Sequence, residues 1–280
     1  MPIWVHRYSL MPRRRLSGVA AEGARKGALL RIGDGFADLH PWPELGDLPL
    51  DAQLAMLARG ETTPQSAASL HLSRIDADAR AKGVSLFDGL TIPESHWPGN
   101  DPPAGFDTVK IKGWMRVPDG VRIRIDFNAT LASAEFLDVV KLLPEERVDF
   151  VEDPCPYDEQ TWARLRELTG LRLAVDRMAP DGHAYDVLVH KPALSMNWPQ
   201  IDREIVVTSY MDHPVGQFGA AYVAATHRTS ARCGLMTHVL YEPDPFIERI
   251  ERDGARLLPP QGSGIGFDDL LEKLPWKMLT

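Results

Sequence analysis

The chain has 280 residues, 44% of them hydrophobic, which suits one barrel-sized domain or such a domain with a small appendage. Its 39 acidic and 31 basic residues give a net charge of −8, which argues against nonspecific nucleic-acid binding. Cys155 and Cys233 show no metal spacing, the amino terminus lacks a secretory apolar core, and no apolar run nears the ~18 residues of a membrane span; together these point to the cytoplasm. In chain order, short strands are predicted over Ile3 to Leu10 and Ala28 to Ile32, followed by a tight turn at Gly33-Asp34-Gly35. Arg13-Arg14-Arg15 reads as a solvated loop. Helical spacing with good helix formers covers Leu50 to Arg59 and Pro64 to Lys82. Pro93 to Gly105, rich in Pro and Gly, reads as a connector. From Thr108 onward, strands alternate with helices or turns, the signature of a parallel sheet. The helices predicted there are Ser133 to Leu143 with Ser133 as N-cap, Asp158 to Leu168 closed by Gly170, and Pro214 to Ala225.

A chemical pattern runs through the same stretch. Lys110-Ile111-Lys112 comes first. Val121 to Asp126, Val148 to Asp153 and Leu171 to Asp176 are apolar runs ending in acids, and Tyr185 to Lys191 ends in a lysine. Polar residues at the carboxyl ends of parallel strands are how a β/α barrel builds an active site. Strand alternation makes Lys110 and Lys112 face the same way. Crowded ammonium groups lower each other's proton affinity, which suits one of them to act as a base. Asp126, Glu152 and Asp176, once brought together, cannot all stay ionised without a cation among them. An all-oxygen ligand set selects Mg²⁺ first and Mn²⁺ second. A carboxylate bound to such an ion has an acidified neighbouring C–H. The set therefore reads as a device for removing a proton α to the carboxylate of a small molecule.

Each part also has a plainer meaning. A single acid at a strand end is more often a cap or a surface charge, and a lone Lys-x-Lys is usually a solvated strand face. His190 should point away from Lys191 and pack. His213 is about equally suited to substrate contact and to structure. Gly262-Ser263-Gly264-Ile265-Gly266 lacks the lysine of a phosphate loop and reads as a turn. Both cysteines read as small buried fillers. The five-part order lifts the set above its members.

That order resembles the enolase superfamily, and the details resemble its o-succinylbenzoate synthase branch. Glu152-Asp153-Pro154-Cys155 is similar to the branch's acid-acid-Pro-Cys segment at the second metal ligand, and Arg124-Ile125-Asp126-Phe127-Asn128 to its Arg-x-Asp-x-Asn at the first. Lys191-Pro192 resembles the segment of the second lysine. Gly35 to Pro43 is similar to the Gly-Trp-Gly-Glu-Ile-x-Pro segment of the amino-terminal capping region. The resemblance implies a modified TIM-type β/α barrel over residues 96–242 and a small α+β capping domain built from residues 1–95 with the tail 243–280. It implies Lys112 as the base, Lys191 as the electrostatic partner on the opposite face, and Lys110, Arg124 and Asn128 in support. Asp126, Glu152 and Asp176 would hold Mg²⁺, and Ser209 would contact substrate.

The implied reaction is the syn dehydration of 2-succinyl-6-hydroxy-2,4-cyclohexadiene-1-carboxylate to o-succinylbenzoate in menaquinone biosynthesis. The alternatives are an N-acylamino acid racemase, a dipeptide epimerase or a non-catalytic metal-binding relative. The partner implied is a small carboxylate substrate, with no nucleic acid and no membrane. Two departures accompany the likeness. Lys112 to Asp126 and Asp176 to Lys191 each span about half the ~30 residues of a βαβ unit. The barrel is therefore expected to lack two or three outer helices. Arg177 stands where the family has an acid, and Tyr210-Met211-Asp212-His213-Pro214 stands where it has a Ser-rich, acid-containing segment.

Overall fold

The computed structural model describes residues 1–16, 23–113, 116–176 and 182–280. Strands β1 (Ile3–Leu10), β2 (Arg25–Ile32) and β3 (Gly35–Leu39) form an antiparallel sheet, and the late strand Lys277–Met278 joins it beside β1. Alternation along β2 sorts its side chains. Ala28 and Leu30 pack on Leu50, Leu54 and Leu57 of helix α1 (Leu50–Ala58), while Leu29 packs toward Leu72 of α2 (Pro64–Ala81). Helix α2 begins with a reciprocal cap: Ser66 N donates to Thr63 Oγ1 at 3.1 Å and Thr63 N donates to Ser66 Oγ at 2.8 Å.

The second sheet is parallel and seven-stranded, in chain order: β4 (Trp97–Pro98), β5 (Thr108–Lys112), β6 (Arg122–Asp126), β7 (Val148–Glu152), β8 (Leu173–Asp176), β9 (Val187–His190) and β10 (Glu204–Val207). Cys233 and Gly234 close it. His96 N donates to Cys233 O on one side, and Gly234 N donates to Val207 O on the other, so the sheet curls into a barrel. Phe150, Ala174, Val187, Val189 and Val206 fill the interior. Alternate residues such as Ile123, Ile125, Val151 and Leu173 face outward. They pack under Phe136 of α3 (Ser133–Val140) and Trp162 and Leu165 of α4 (Glu159–Thr169). Helix α5 (Pro214–Thr226) follows β10.

The shortened barrel is as the spacing predicts. The described residues of the β5–β6, β8–β9 and β9–β10 connections contain no helix. Loop residues cover the strands there instead: Trp198 meets His190 at 6.1 Å between ring centroids and stacks on His227 at 4.3 Å. Asp158 caps α4 by accepting from Thr161 N at 2.8 Å, and Gly170 ends it at φ 67°. Helix α3 differs from expectation at its start. Glu135 reaches back to Ala132 N at 2.8 Å, so the cap is one residue earlier than Ser133. Strand β4 lies inside the stretch read as a connector, because two residues, one of them proline, carry no periodicity.

Candidate active site

Strand order decides which side chains meet. β5, β6, β7, β8 and β9 lie side by side. Their carboxyl ends present Lys112, Asp126, Glu152, Asp176 and, one residue past β9, Lys191. The register sets Lys112 opposite Asp126 and Asp126 opposite Glu152. The acids therefore form a row with a lysine at each end. A cavity lies over this row. Lys110, Lys112, Asp126 and Asn128 line one part of it, and Asp176, Lys191 and Ser209 line another.

The lysines are matched to the acids. Lys112 Nζ donates to Asp126 Oδ2 at 2.6 Å and to Asn128 Oδ1 at 3.3 Å. Lys110 Nζ lies 2.5 Å from Glu152 Oε1 and 3.3 Å from Asp126 Oδ2. Lys191 Nζ donates to Thr208 Oγ1 at 2.8 Å and lies 3.3 Å from Asp176 Oδ1. Asn128 adopts φ 53°, a conformation asparagine tolerates, which turns its N–H onto Asp126 Oδ1 at 2.9 Å.

This pairing corrects one expectation. Burial works to lower the proton affinity of Lys110, but the charges of Glu152, Asp126 and Asp176 outweigh it and raise the group above its ordinary value. Crowding among the amines is the lesser effect there. Asp126 is drawn below the usual carboxylate range: burial opposes this, and Lys112 and Lys110 override it. Glu152 is raised to about 7 by burial, with Asp126 and Asp176 adding to the rise against Lys110.

Among the described residues, no three His, Cys, Asp or Glu side chains converge closely enough to grip an ion, and the Lys110 ammonium stands between Glu152 and Asp126. The donor set nevertheless fits a hard divalent ion. Glu152 Oε2 and Asp176 Oδ1 are buried without a hydrogen bond, and all three carboxylates offer oxygen alone.

The other expected residues are distributed as follows. Glu152 lies beneath the cavity wall, behind Lys110. Arg124 points to the opposite end of the barrel, where its Nε donates to Asp149 Oδ2 at 2.8 Å and Nη1 approaches His96 Nδ1. Ser209 lines the cavity, its hydroxyl 2.6 Å from Thr237 Oγ1. His213 is structural: it caps α5 and packs between Tyr8 and Phe246. His190 packs as expected, both cysteines are buried, and the glycine-rich segment is a turn tied to α2 through Ile265 N and Asp76. Arg177 lies outside the described residues. The solvated-loop reading of the arginine run is corrected. Arg14 and Arg15 are exposed but line the cavity mouth, and Arg14 donates to Pro98 O at 2.5 Å. His96, Thr208, Gly234 and Thr237 also line the cavity and were not singled out by sequence. The strand phase of Thr208, two residues past an inward Val206, is the one signal that could have found any of them.

Residues 3–79 match the o-succinylbenzoate synthase N-terminal domain, and residues 104–204 match the enolase C-terminal domain-like family. An o-succinylbenzoate synthase from Bdellovibrio bacteriovorus is 35% identical over 324 aligned positions, covering 97% of each chain. The chain belongs to the o-succinylbenzoate synthase family of the enolase superfamily. Members of this family are lyases, and this chain is an enzyme of that kind. The fold agrees with solved superfamily structures. A dipeptide epimerase from Cytophaga hutchinsonii superposes with a TM-score of 0.76 at 14% identity, covering 100% of this chain and 99% of that one. A mandelate racemase/muconate lactonizing protein from Herpetosiphon aurantiacus gives 0.74 at 14% identity, covering 94% and 96%. At such identity these likenesses concern the fold alone.

Proposed function

We propose that this enzyme is a Mg²⁺-dependent o-succinylbenzoate synthase, dehydrating 2-succinyl-6-hydroxy-2,4-cyclohexadiene-1-carboxylate in menaquinone biosynthesis. The observation that carries the reading is the row Lys112, Asp126, Glu152, Asp176, Lys191 gathered beneath one cavity. The likeness to a synthase over nearly the whole chain supports it. The division into a cap (1–95 with 243–280) and a barrel (96–242) is part of the proposal, supported by the strand Lys277–Met278 joining β1. A small, soluble carboxylate substrate suits a cytoplasmic enzyme, and no helix among the described residues is long and apolar enough to cross a membrane.

In this mechanism Asp126, Glu152 and Asp176 would hold the ion, which would supply positive charge to the substrate carboxylate and so acidify the neighbouring C–H. Lys112 takes the α-proton onto its Nζ. The C–H electron pair then forms the new ring double bond as the C–O bond breaks. Lys112 returns its proton to the departing hydroxide on the same face, so water leaves and the enzyme is restored. Asn128 Oδ1 accepts from the Lys112 amine at 3.3 Å and holds it in place. Lys191 stays protonated on the opposite face and offsets the developing negative charge.

The lysines at both ends of the row favour one further reading, proton exchange on both faces as in an N-acylamino acid racemase or dipeptide epimerase. The test is turnover of the cyclohexadiene acid by chelated and Mg²⁺-reloaded enzyme. Loss on chelation with recovery on reloading is expected. A loaded enzyme that leaves this acid unchanged while epimerising acylamino acids would replace the first reading with the second.

A further inference from the structure

We propose that His96 is a substrate-contacting residue of this site, presenting its Nε2–H to an acceptor oxygen of the bound carboxylic acid. The proposal rests on the dehydratase reading of the cavity. His96 lies just before β4, 4% exposed, with its ring on the cavity wall. Its Nδ1 is 3.0 Å from Arg124 Nη1. A guanidinium has only donors, so Nδ1 is the acceptor and carries no proton. A neutral ring then has its proton on Nε2. Burial, followed by the charges of Arg124, Lys110 and Lys191, keeps the ring neutral.

Arg124 is fixed in this role. Its Nε donates to Asp149, its Nη1 also donates to Arg232 O at 2.6 Å, and its guanidinium lies 4.7 Å from the Phe150 ring centroid. The imidazole sits in a slot left by Gly234, where an added Cβ would come within 2.9 Å of Cε1 and 3.0 Å of Nε2. Thr208 borders the same slot, its Cγ2 2.6 Å from that Cβ, and its hydroxyl accepts from Lys191. The Nε2–H and the Lys191 ammonium thus serve one wall of the cavity. Nε2 has no hydrogen-bond partner among the described residues. A ring N–H and an ammonium on one wall suit a ligand rich in acceptor oxygens, as an acid with carboxylate and ketone groups is.

Two substitutions separate the donor from the scaffold. His96→Asn places an acceptor near Nδ1, keeping the Arg124 bond, but has no atom at Nε2. His96→Gln places an amide N–H near Nε2. With melting temperature unchanged, His96→Asn should raise KM about 10- to 100-fold with little change in kcat, the loss of one hydrogen bond to an anionic acceptor. His96→Gln should recover most of it. In wild-type enzyme with ¹⁵N-labelled histidine, His96 should show a protonated Nε2 and a bare Nδ1, and the Nε2–H signal should shift on adding o-succinylbenzoate. Wild-type KM in both variants, or an Nε2 signal unmoved by bound o-succinylbenzoate, overturns the proposal while the dehydratase reading stands. Wild-type enzyme that neither binds o-succinylbenzoate nor turns over its precursor overturns both.

Discussion

Lys110 Nζ and Glu152 Oε1 stand 2.5 Å apart at the centre of the acid row, both groups largely shielded from water. The contact satisfies only half of the carboxylate, since Glu152 Oε2 has no hydrogen bond, and Asp176 Oδ1 likewise has none, with only the Lys191 ammonium 3.3 Å away. A cation bound through these oxygens stabilises the folded state alone, by about 2.7 kcal/mol at 100 times its Kd. Thermal melts of chelated enzyme should therefore move upward as Mg²⁺ is added. Glu152→Gln and Asp176→Asn should each lose most of that rise, because each removes a charged ligand. A wild-type melting temperature that ignores millimolar Mg²⁺ counts against the metal site.

Lys112→Ala removes the proposed base and proton donor, so kcat should fall by roughly 10²- to 10⁴-fold, the usual contribution of a positioned acid–base group. KM should change little. Lys112→Arg should not rescue the rate, because a guanidinium does not release its proton at accessible pH. Steady-state kinetics on the cyclohexadiene acid decides this, and an unchanged kcat in Lys112→Ala ends the residue's assigned role.

Lys191 distinguishes the two reaction types. Dehydration asks only for its charge, whereas racemisation asks it to exchange protons. Lys191→Arg should therefore keep a measurable part of the dehydration and lose any racemisation of N-acylamino acids, followed by deuterium uptake from heavy water. Equal loss of both activities would mean that Lys191 does more in dehydration than supply charge.

Much of this was legible in the sequence, for reasons that can be located. Lys110, Lys112, Asp126, Glu152, Asp176 and Lys191 sit at the ends of apolar runs with clear strand phase, so their convergence follows once the strands are parallel and in order. The missing helices followed from connection length alone. His96 and Gly234 were not legible, because β4 is two residues long and the closing segment at Cys233-Gly234 forms only isolated bridges. Neither carries a period. The role of Arg14 at the cavity mouth depends on how β1 and its following loop lie against Pro98, a long-range contact that no local pattern encodes.

Asp38 on β3 and Asp212 after β10 give the cap–barrel contact a pH dependence of unusual sign. A Cβ added at Gly216 would lie 2.6 Å from Asp38 Oδ2 and 2.5 Å from Asp212 Oδ2, so both carboxyls address one spot at the start of α5. Burial raises Asp212 to about 7 against the pull of Lys191. Burial and the charge of Asp212 raise Asp38 well above the carboxylate range, although Tyr8 OH donates to Oδ1 at 2.7 Å and His213 N donates to Oδ2 at 3.2 Å. An unfolded aspartate titrates near pH ~3.9, so between there and about 7 the folded state holds more protons than the unfolded one. Stability contributed by Asp212 is therefore complete below pH ~4, falls as pH rises to about 7, and is level above that. Asp212→Asn removes this titration. Its stability relative to wild type should grow between about pH 4 and about pH 7 and then level off, with a ceiling of about 4 kcal/mol from ~1.4 kcal/mol per tenfold change in proton affinity. Paired thermal melts across that range measure the difference directly, and a gap that stays constant with pH would show that the two carboxyls are not holding a proton at neutral pH.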